Sequence, residues 1–281
     1  MTSRPYRGID HVVIRTADAV SLYQLFSGPL GLPTTWPLEH AAFATFGWIG
    51  LGNTNMEIWA ATDNSDLPAG CPFPLVQQIA LEPFELAETL ARLKTLGFNC
   101  KTPRTFRSKD KSGEQKVNFT NSVVLDLSSD TCCVFLCEWG REAPITPWKK
   151  GPTTRERRVL EQDAMKACGG GALGIVGLSE IALSTQDVDG TIDRWRRLTE
   201  SKGPAIEIAK DVELRVSAGE HAVIQSLTFS VRDLAQAKSF LAGRGVLSQD
   251  EGADVVLCRD VSQGLRFRFV QAADHAGAKQ H

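Results

Sequence analysis

The alternation of apolar and polar positions at the start of the chain predicts a strand, a helix and further strands. The segment DHVVIRT is short and rich in β-branched residues, which indicates a buried strand. Behind it, Leu22, Leu25 and Phe26 recur at helical spacing after Asp18, a residue type typical of a helix N-cap. Two apolar segments broken by glycines, AAFATFGWIGLG and TNMEIWA, then predict two or three strands. Residues 8–61 therefore predict one strand–helix–strands unit.

The same order of elements recurs three more times. In residues 74–140, PLVQQIALE predicts a strand, FELAETLARLKTLGF a helix with leucines along one face, and SVVLDLSS and CCVFLCEW the closing strands. The polar stretch RTFRSKDKSGEQKVNFTN between them is typical of a long loop. LSEIALSTQD and QSLTFSVRD begin the third and fourth units. Such units exceed the roughly 20–50 residues of solenoid repeats, which favours paired α+β modules.

A stretch of different composition separates the second unit from the third. Residues 141–173 begin Pro-rich and basic and end in glycines, while the central RERRVLEQDAMK predicts a short helix. Domain boundaries fall in exposed segments rich in proline and glycine. We therefore predict two domains of two units each, at 5–140 and 174–272, joined by this linker.

Composition excludes several classes of function. The 281 residues are 42% hydrophobic, enough for one large domain or two ordinary ones. The formal net charge is −2, and the aromatic residues are not interleaved with basic ones, so no nucleic-acid partner is expected. No apolar stretch reaches the roughly 18–20 residues that span a bilayer, and no secretory signal is recognisable. The seven cysteines lack CxxC spacing, which is typical of reduced thiols in a cytoplasmic protein.

Four polar residues fall at equivalent positions of the first two units. When the units are aligned on their first strands, His11 falls opposite Gln78. When they are aligned on their last strands, Glu57 falls opposite Glu138. Imidazole and carboxylate groups suit borderline divalent cations, and an amide oxygen can complete the coordination shell. The first half of the chain therefore offers a candidate metal site.

The motifs DHVVI, MEIW and QQIAL, with the order of elements, resemble the glyoxalase-like family, also called the vicinal oxygen chelate superfamily. The resemblance implies an α+β fold in which four βαβββ modules pair into two domains with cupped sheets. It also implies a divalent metal (Fe, Mn, Ni, Co or Zn) held in the first domain by His11, Glu57, Gln78 and Glu138. Glu138 is the residue that we expect also to move a proton during catalysis. The expected substrate is a small organic molecule with adjacent oxygens, on which a metal acts as a Lewis acid.

This resemblance leaves three functions open. A metal-dependent lyase or isomerase is favoured over an extradiol dioxygenase, because those dioxygenases use two histidines and Gln78 stands where the second would be. The third function is the binding of drugs or metabolites without catalysis. The residues also allow simpler explanations: His11 could pack in the core, and Glu57 could face solvent. If the register shifted by one residue, Gln77 would point inward instead of Gln78.

The same strands carry candidate substrate contacts. Period-two alternation places Arg15 on the face of His11, where it could bind an anionic group or pair with Glu82. Trp48 and Trp59 lie near the proposed ligands and could form an aromatic wall or pack in the core. We expect a small-molecule partner rather than a nucleic acid or a membrane, and a homodimer is the assembly to test.

The second half departs from the ligand pattern. Its equivalent positions carry Glu180, Ser226, Glu213 and Arg268. An arginine at such a place could pair with the two glutamates where the first half would hold a metal. We therefore predict that the second half is a degenerate copy with a structural or interface role.

Overall fold

A computed structural model of the chain describes residues 4–143, 154–248 and 254–273. Within these ranges the protein is a mixed α+β structure, in which five α-helices accompany one large curved sheet. None of the described helices is both long enough and apolar enough to cross a membrane. The α+β class predicted from the sequence is therefore confirmed.

The first half contains two α-helices and eight strands. These elements are β1 (Tyr6–Arg15), α1 (Ala19–Ser27), β2 (Thr34–His40), β3 (Ala44–Gly50), β4 (Asn55–Ala61), β5 (Leu75–Pro83), α2 (Leu86–Thr95), β6 (Arg104–Lys109), β7 (Gln115–Val123) and β8 (Cys133–Trp139). The side chain of Asp18 accepts a hydrogen bond from the Ser21 backbone and caps α1, as predicted.

Two predictions for this half are wrong. SVVLDLSS is not a closing strand, because β7 ends at Val123 and Leu125–Leu127 form a short 3-10 helix. The polar stretch 104–121 is not a loop. It forms most of the hairpin of β6 and β7, and β7 continues the sheet by pairing with β8. The Asp110 side chain accepts hydrogen bonds from the backbone amides of Ser112 and Glu114, which closes the turn. Pairing along the edge of an existing sheet thus overrides the polar composition of these strands.

The second half begins with a helix from the predicted linker. Its elements are α3 (Thr154–Ala167), β9 (Ile175–Thr185), α4 (Val188–Thr199), β10 (Ile206–Ala209), β11 (Val212–Ala218), β12 (Val223–Val231), α5 (Leu234–Gly243), β13 (Val255–Val256) and β14 (Phe267–Gln271). The strands run in the order β10-β11-β9-β12-β14-β13, and β12 also touches β5 through Ile224 and Val76. Linker residues 144–153 lie outside the described ranges, and the pairing of modules into two domains stays a prediction.

The first-half strands form a strongly curved sheet in the order β2-β3-β4-β1-β5-β8-β7-β6. In a flat sheet, β2 and β8 would lie about 24 Å apart, because neighbouring strands are spaced by about 4.8 Å. The rings of Trp36 on β2 and Trp139 on β8 are nevertheless only 6.2 Å apart. The sheet therefore bends round toward the face that carries these rings. We call this concave face the cup.

The opposite, convex face carries the main hydrophobic core. Ile14 of β1 points to this side and packs in a continuous cluster with buried side chains of both halves, such as Phe26 and Trp195. The Tyr6 hydroxyl also donates a hydrogen bond of 2.7 Å to the carbonyl of Ile208 across the two halves. Because the convex face is filled by this shared core, the cup is the surface of the first-half sheet on which a site can form.

Candidate functional site

The strand register decides which of the predicted residues face the cup. Residues directly opposite each other on neighbouring strands share a face of the sheet. Trp48, whose ring lies 5.9 Å from that of Trp139 across the cup, pairs with Glu57. Val13 lies opposite both Glu57 and Gln78. His11 precedes Val13 by two residues on the same strand, so His11, Glu57 and Gln78 all face the cup.

His11 lies at the floor of the cup between two carboxyl groups, with 4% of its surface exposed. Its Nδ1 is 2.7 Å from Oδ1 of Asp10, and its Nε2 is 3.4 Å from Oε2 of Glu57. Asp10 is ionised, because the arginines of α3 lower its pKa, so Nδ1 of His11 donates a hydrogen bond to that carboxylate. This hydrogen bond fixes the orientation of the ring and directs Nε2 at Glu57.

Asp10 is fully buried and is held as a carboxylate by helix α3. It lies where the register of β1 against β5 shifts by one residue, which turns its side chain beside that of His11. Arg157 forms an ion pair with Asp10 Oδ2, and Arg158 Nη2 lies 3.9 Å from the same oxygen. Burial acts to raise the pKa of Asp10, but Arg157, His11 and Arg158 together hold that pKa well below its usual value.

Further polar contacts from α3 close this end of the cup. Arg158 Nη2 donates hydrogen bonds to Glu82 Oε2 at 2.9 Å and to the carbonyl of Ile9 at 2.8 Å. Glu161 accepts one from the amide of Asn55 at 2.9 Å. The suggested pairing of Glu82 with Arg15 is thus replaced by a pairing with Arg158. Sequence reasoning missed these contacts, because the charged helix carries no signal of which strand it packs against.

Glu57 is a largely buried carboxyl group that faces His11. Its side chain is 13% exposed, and burial raises its pKa, although His11 and a hydrogen bond with Trp48 act in the opposite direction. Nδ1 of His11 donates its hydrogen bond to Asp10. The contact between Nε2 of His11 and the Glu57 carboxyl group is therefore favourable when these two groups share one proton, because one of them then donates and the other accepts. The His11–Glu57 pair can therefore hold one proton and direct it into the cup.

Two groups of aromatic rings line the cup. The floor rings are Trp36, Trp48 and Trp139, with centroids 5.7 to 6.2 Å apart. The rim rings are Phe43, Phe46 and Trp59, with centroids 5.2 to 6.1 Å apart. Trp48 also lies 4.5 Å from the ring of His11, and 58% of the surface of Phe43 is exposed. The two groups meet where Trp36 and Phe46 lie 6.3 Å apart, so Trp48 and Trp59 belong to one run of contacting rings from the exposed rim to the His11–Glu57 pair, in which Trp36 and Trp48 are buried. We call this run of rings the aromatic surface.

Arg15, the third predicted substrate contact, lies on the cup face beside the rim rings. It pairs in register with Trp59, and 6% of its surface is exposed. Its guanidinium contacts Asp66 and Asn64 from the segment between β4 and β5, and Gln77 on β5. The structure therefore brings Arg15, Trp48 and Trp59 together with His11.

The structure separates Glu138 from the other predicted ligands, which corrects its assignment to the site. Glu138 shares its face of β8 with Leu136, which lies in the convex core, whereas Phe135 and Cys137 face the cup. Its Oε1 accepts a hydrogen bond of 2.7 Å from the backbone amide of Leu86, the first residue of α2. The alignment was one residue out of register, which reverses the face of a strand residue.

The remaining donors do not fit a mononuclear metal site of the kind that the resemblance implied. Only His11 Nε2 and Glu57 Oε2 converge, whereas catalytic metal sites of this type use three protein ligands. The amide of Gln78 donates to Gln77 Oε1 at 3.4 Å. In the described part of the chain, no group of three or more His, Cys, Asp or Glu side chains could hold an ion. Metal dependence therefore stays a prediction, and we derive no chemistry from it.

The equivalent residues of the second half form ion pairs. Arg268 Nη1 lies 3.4 Å from Glu180 Oε1, and Arg215 Nε lies 3.3 Å from the other oxygen of Glu180. Glu213 pairs with Glu180 in the ladder but is exposed, and Ser226 is buried. Of the two glutamates suggested as partners of Arg268, the structure pairs Glu180 with it.

Comparison with known proteins supports the fold but names no relative by sequence. No family model matches the chain, and neither does any curated protein. A solved structure of a hypothetical protein from Staphylococcus aureus is similar, with a TM-score of 0.57 and 9% identity, covering 94% of this chain and 99% of that one. A variant of homoprotocatechuate 2,3-dioxygenase from Brevibacterium fuscum has a TM-score of 0.59 and 11% identity, covering 99% of this chain and 75% of that one. An extradiol ring-cleaving dioxygenase from B. fuscum gives 0.57 and 12%, with the same coverage. At these identities the likeness shows the fold alone, and it agrees with the α+β fold predicted from the sequence.

Proposed function

We propose that the protein binds a small, flat organic molecule in the cup. The observation that carries this proposal is the aromatic surface that runs from the exposed rim ring of Phe43 to the His11–Glu57 pair. Aromatic walls bind flat apolar groups through burial and offset stacking, and a few polar groups among them fix the orientation of the ligand. The His11–Glu57 pair supplies such groups, because it can both donate and accept a hydrogen bond.

The test is a binding titration with flat aromatic probes such as 2-naphthol, followed by tryptophan fluorescence and calorimetry. Trp59→Leu should weaken binding by about tenfold, because it removes a stacking surface of about 1–1.5 kcal/mol. Trp195→Phe is the matched control, because Trp195 is a buried tryptophan of α4 in the convex core. A parent protein that binds none of the probes, or a Trp59→Leu variant that binds as tightly as the parent, would overturn the proposal.

A second candidate function is proton transfer on the bound molecule, as in a lyase or isomerase. It is favoured by the arrangement of Asp10, His11 and Glu57. The Glu57 carboxyl group has a raised pKa and faces Nε2 of His11, and Nδ1 of His11 is hydrogen-bonded to Asp10. In this candidate, Glu57 moves the proton and His11 positions and balances its charge. The prediction is exchange of a carbon-bound proton of a bound ketone with deuterium oxide, measured by proton NMR. Glu57→Gln should abolish that exchange while the ketone still binds.

The metal-dependent functions are tested by the melting temperature of the parent and of His11→Ala with and without manganese, iron, cobalt, nickel or zinc. No rise in the parent would count against a metal site, since among the predicted ligands two donor atoms converge, on His11 and Glu57. A rise that disappears in His11→Ala would restore metal-dependent chemistry, since an ion stabilises the folded state only by binding to it.

A further inference from the structure

Arg15 is buried, but the carboxylate that balances its charge is exposed at the protein surface. Its side chain is 8% exposed, whereas that of its partner Asp66 is 58% exposed. Nη1 and Nη2 of Arg15 lie 3.0 and 3.1 Å from the two oxygens of Asp66, so the guanidinium holds a carboxylate with both of its terminal nitrogens. The structure thus contains a formed carboxylate site, which a side chain of the same chain occupies.

The rest of this site belongs to the strands of the sheet, whereas the residue that fills it lies in a connection between strands. Arg15 and Gln77 belong to β1 and β5, and Gln77 Oε1 accepts a hydrogen bond of 3.3 Å from Nη1. Asp66 lies in the connection 62–74, which within the described residues contains no helix or strand. The buried Nε of Arg15 has no hydrogen-bond partner among the described residues. The site therefore has donor capacity that Asp66 does not use.

The position of Arg15 relates this site to the aromatic surface. Arg15 and Trp59 are directly opposite each other on the parallel strands β1 and β4, which places their Cβ atoms about 5 Å apart on the cup face. The ring of Trp59 stacks on that of Phe46, with the ring centroids 5.2 Å apart. A ring that lies against these rim rings would bring a carboxylate substituent to the guanidinium of Arg15.

We propose that Arg15 is the carboxylate-binding subsite of the cup, and that Asp66 occupies it until a ligand carboxylate displaces Asp66. The ligand class is therefore a flat aromatic carboxylate. This inference rests on the proposed binding of flat molecules in the cup. Displacement exchanges one carboxylate for another, so that Arg15 keeps a charged partner throughout while Asp66, whose side chain is 58% exposed, moves into water.

The experiment compares 2-naphthoate with 2-naphthamide, which has the same ring and no charge. The parent should bind naphthoate at least about tenfold more tightly, as expected for a charge-assisted bidentate contact. Asp66→Asn should tighten naphthoate binding by roughly threefold or more and leave naphthamide binding unchanged, because the internal competitor is gone. Asp63→Asn is the matched control: it removes the same charge from the same connection, and the hydrogen bonds of Asp63 go to Ser65.

Arg15→Met should abolish the preference for naphthoate and keep binding of naphthamide. Arg15→Lys should keep only part of the preference for naphthoate over naphthamide, because lysine keeps the charge but lacks the planar guanidinium. This variant also keeps the test valid if the methionine variant fails to fold. If both probes bind the parent equally, or if Asp66→Asn changes neither affinity, the subsite is refuted while the proposed binding function stands. If neither probe binds the parent, both proposals fall.

Discussion

Replacing Arg157 by methionine should destabilise the protein strongly at neutral pH and much less at acid pH. Arg157 is 3% exposed and forms an ion pair with Asp10, which is completely buried. Two unit charges about 4 Å apart attract by about 4 kcal/mol at an effective dielectric constant of 20. The methionine avoids the desolvation cost of a guanidinium, but it removes the hydrogen-bonded partner of Asp10 and leaves Arg158, at 3.9 Å, as the remaining cation of α3 beside that buried carboxylate. We therefore expect a loss of about 3 kcal/mol in the free energy of unfolding at pH 7.

The pH dependence follows from the sign of the pKa shift. In the parent, the folded-state pKa of Asp10 lies well below its usual value, so its stabilising contribution is present above pH about 4 and is lost at lower pH. Without Arg157, burial dominates and the folded-state pKa of Asp10 should rise above the unfolded value. The variant then binds a proton on folding, and its deficit relative to the parent should shrink as the pH falls from 7 toward 4.

The assay is urea unfolding at pH 7, 5.5 and 4, with Arg155→Met as the control on the exposed face of the same helix. The double variant Asp10→Asn with Arg157→Met should be more stable than the sum of the two single changes predicts, by about 2 kcal/mol, because it removes both charges together. A deficit below about 1 kcal/mol, or one that is the same at all three pH values, would refute the assignment of Arg157 as the residue that holds Asp10 ionised.

Three further predictions test the placement of other residues. Glu138→Gln should lower the free energy of unfolding by about 1 kcal/mol, because it weakens the cap on Leu86, and it should leave probe binding in the cup unchanged; weaker binding would return Glu138 to the site. Glu180→Gln should cost less than about 1 kcal/mol in urea unfolding, since its ion pairs are partly exposed, and a larger loss would contradict this. Limited trypsin digestion should cut at the exposed turn residue Lys111 before it cuts within residues 157–165, because this part of α3 packs against the sheet. Cleavage in the reverse order would contradict the packing of α3.

The sequence by itself determined the order of most elements, and the predicted site residues other than Glu138 face the cup. Period-two alternation in DHVVIRT is a local property of the chain, so it placed His11 and Arg15 on one face correctly, and the alignment of the units placed Glu57 with them. It also predicted helix α1 from its cap and spacing. The α+β class followed from the same patterns, because each strand and helix begins and ends at local signals.

Only the tertiary structure decided what those residues contact. Glu138 lies one position away from the cup face, and a slip of one residue is invisible in an apolar run such as CCVFLCEW. Asp10 is the partner of His11 because β1 shifts its register there, and it is ionised because Arg157 reaches it from a helix 147 residues later. Register shifts and long-range ion pairs depend on how distant segments pack, which no local pattern encodes. The sequence therefore predicted the surface of the cup, and the fold determined that two carboxyl groups and an imidazole meet on its floor.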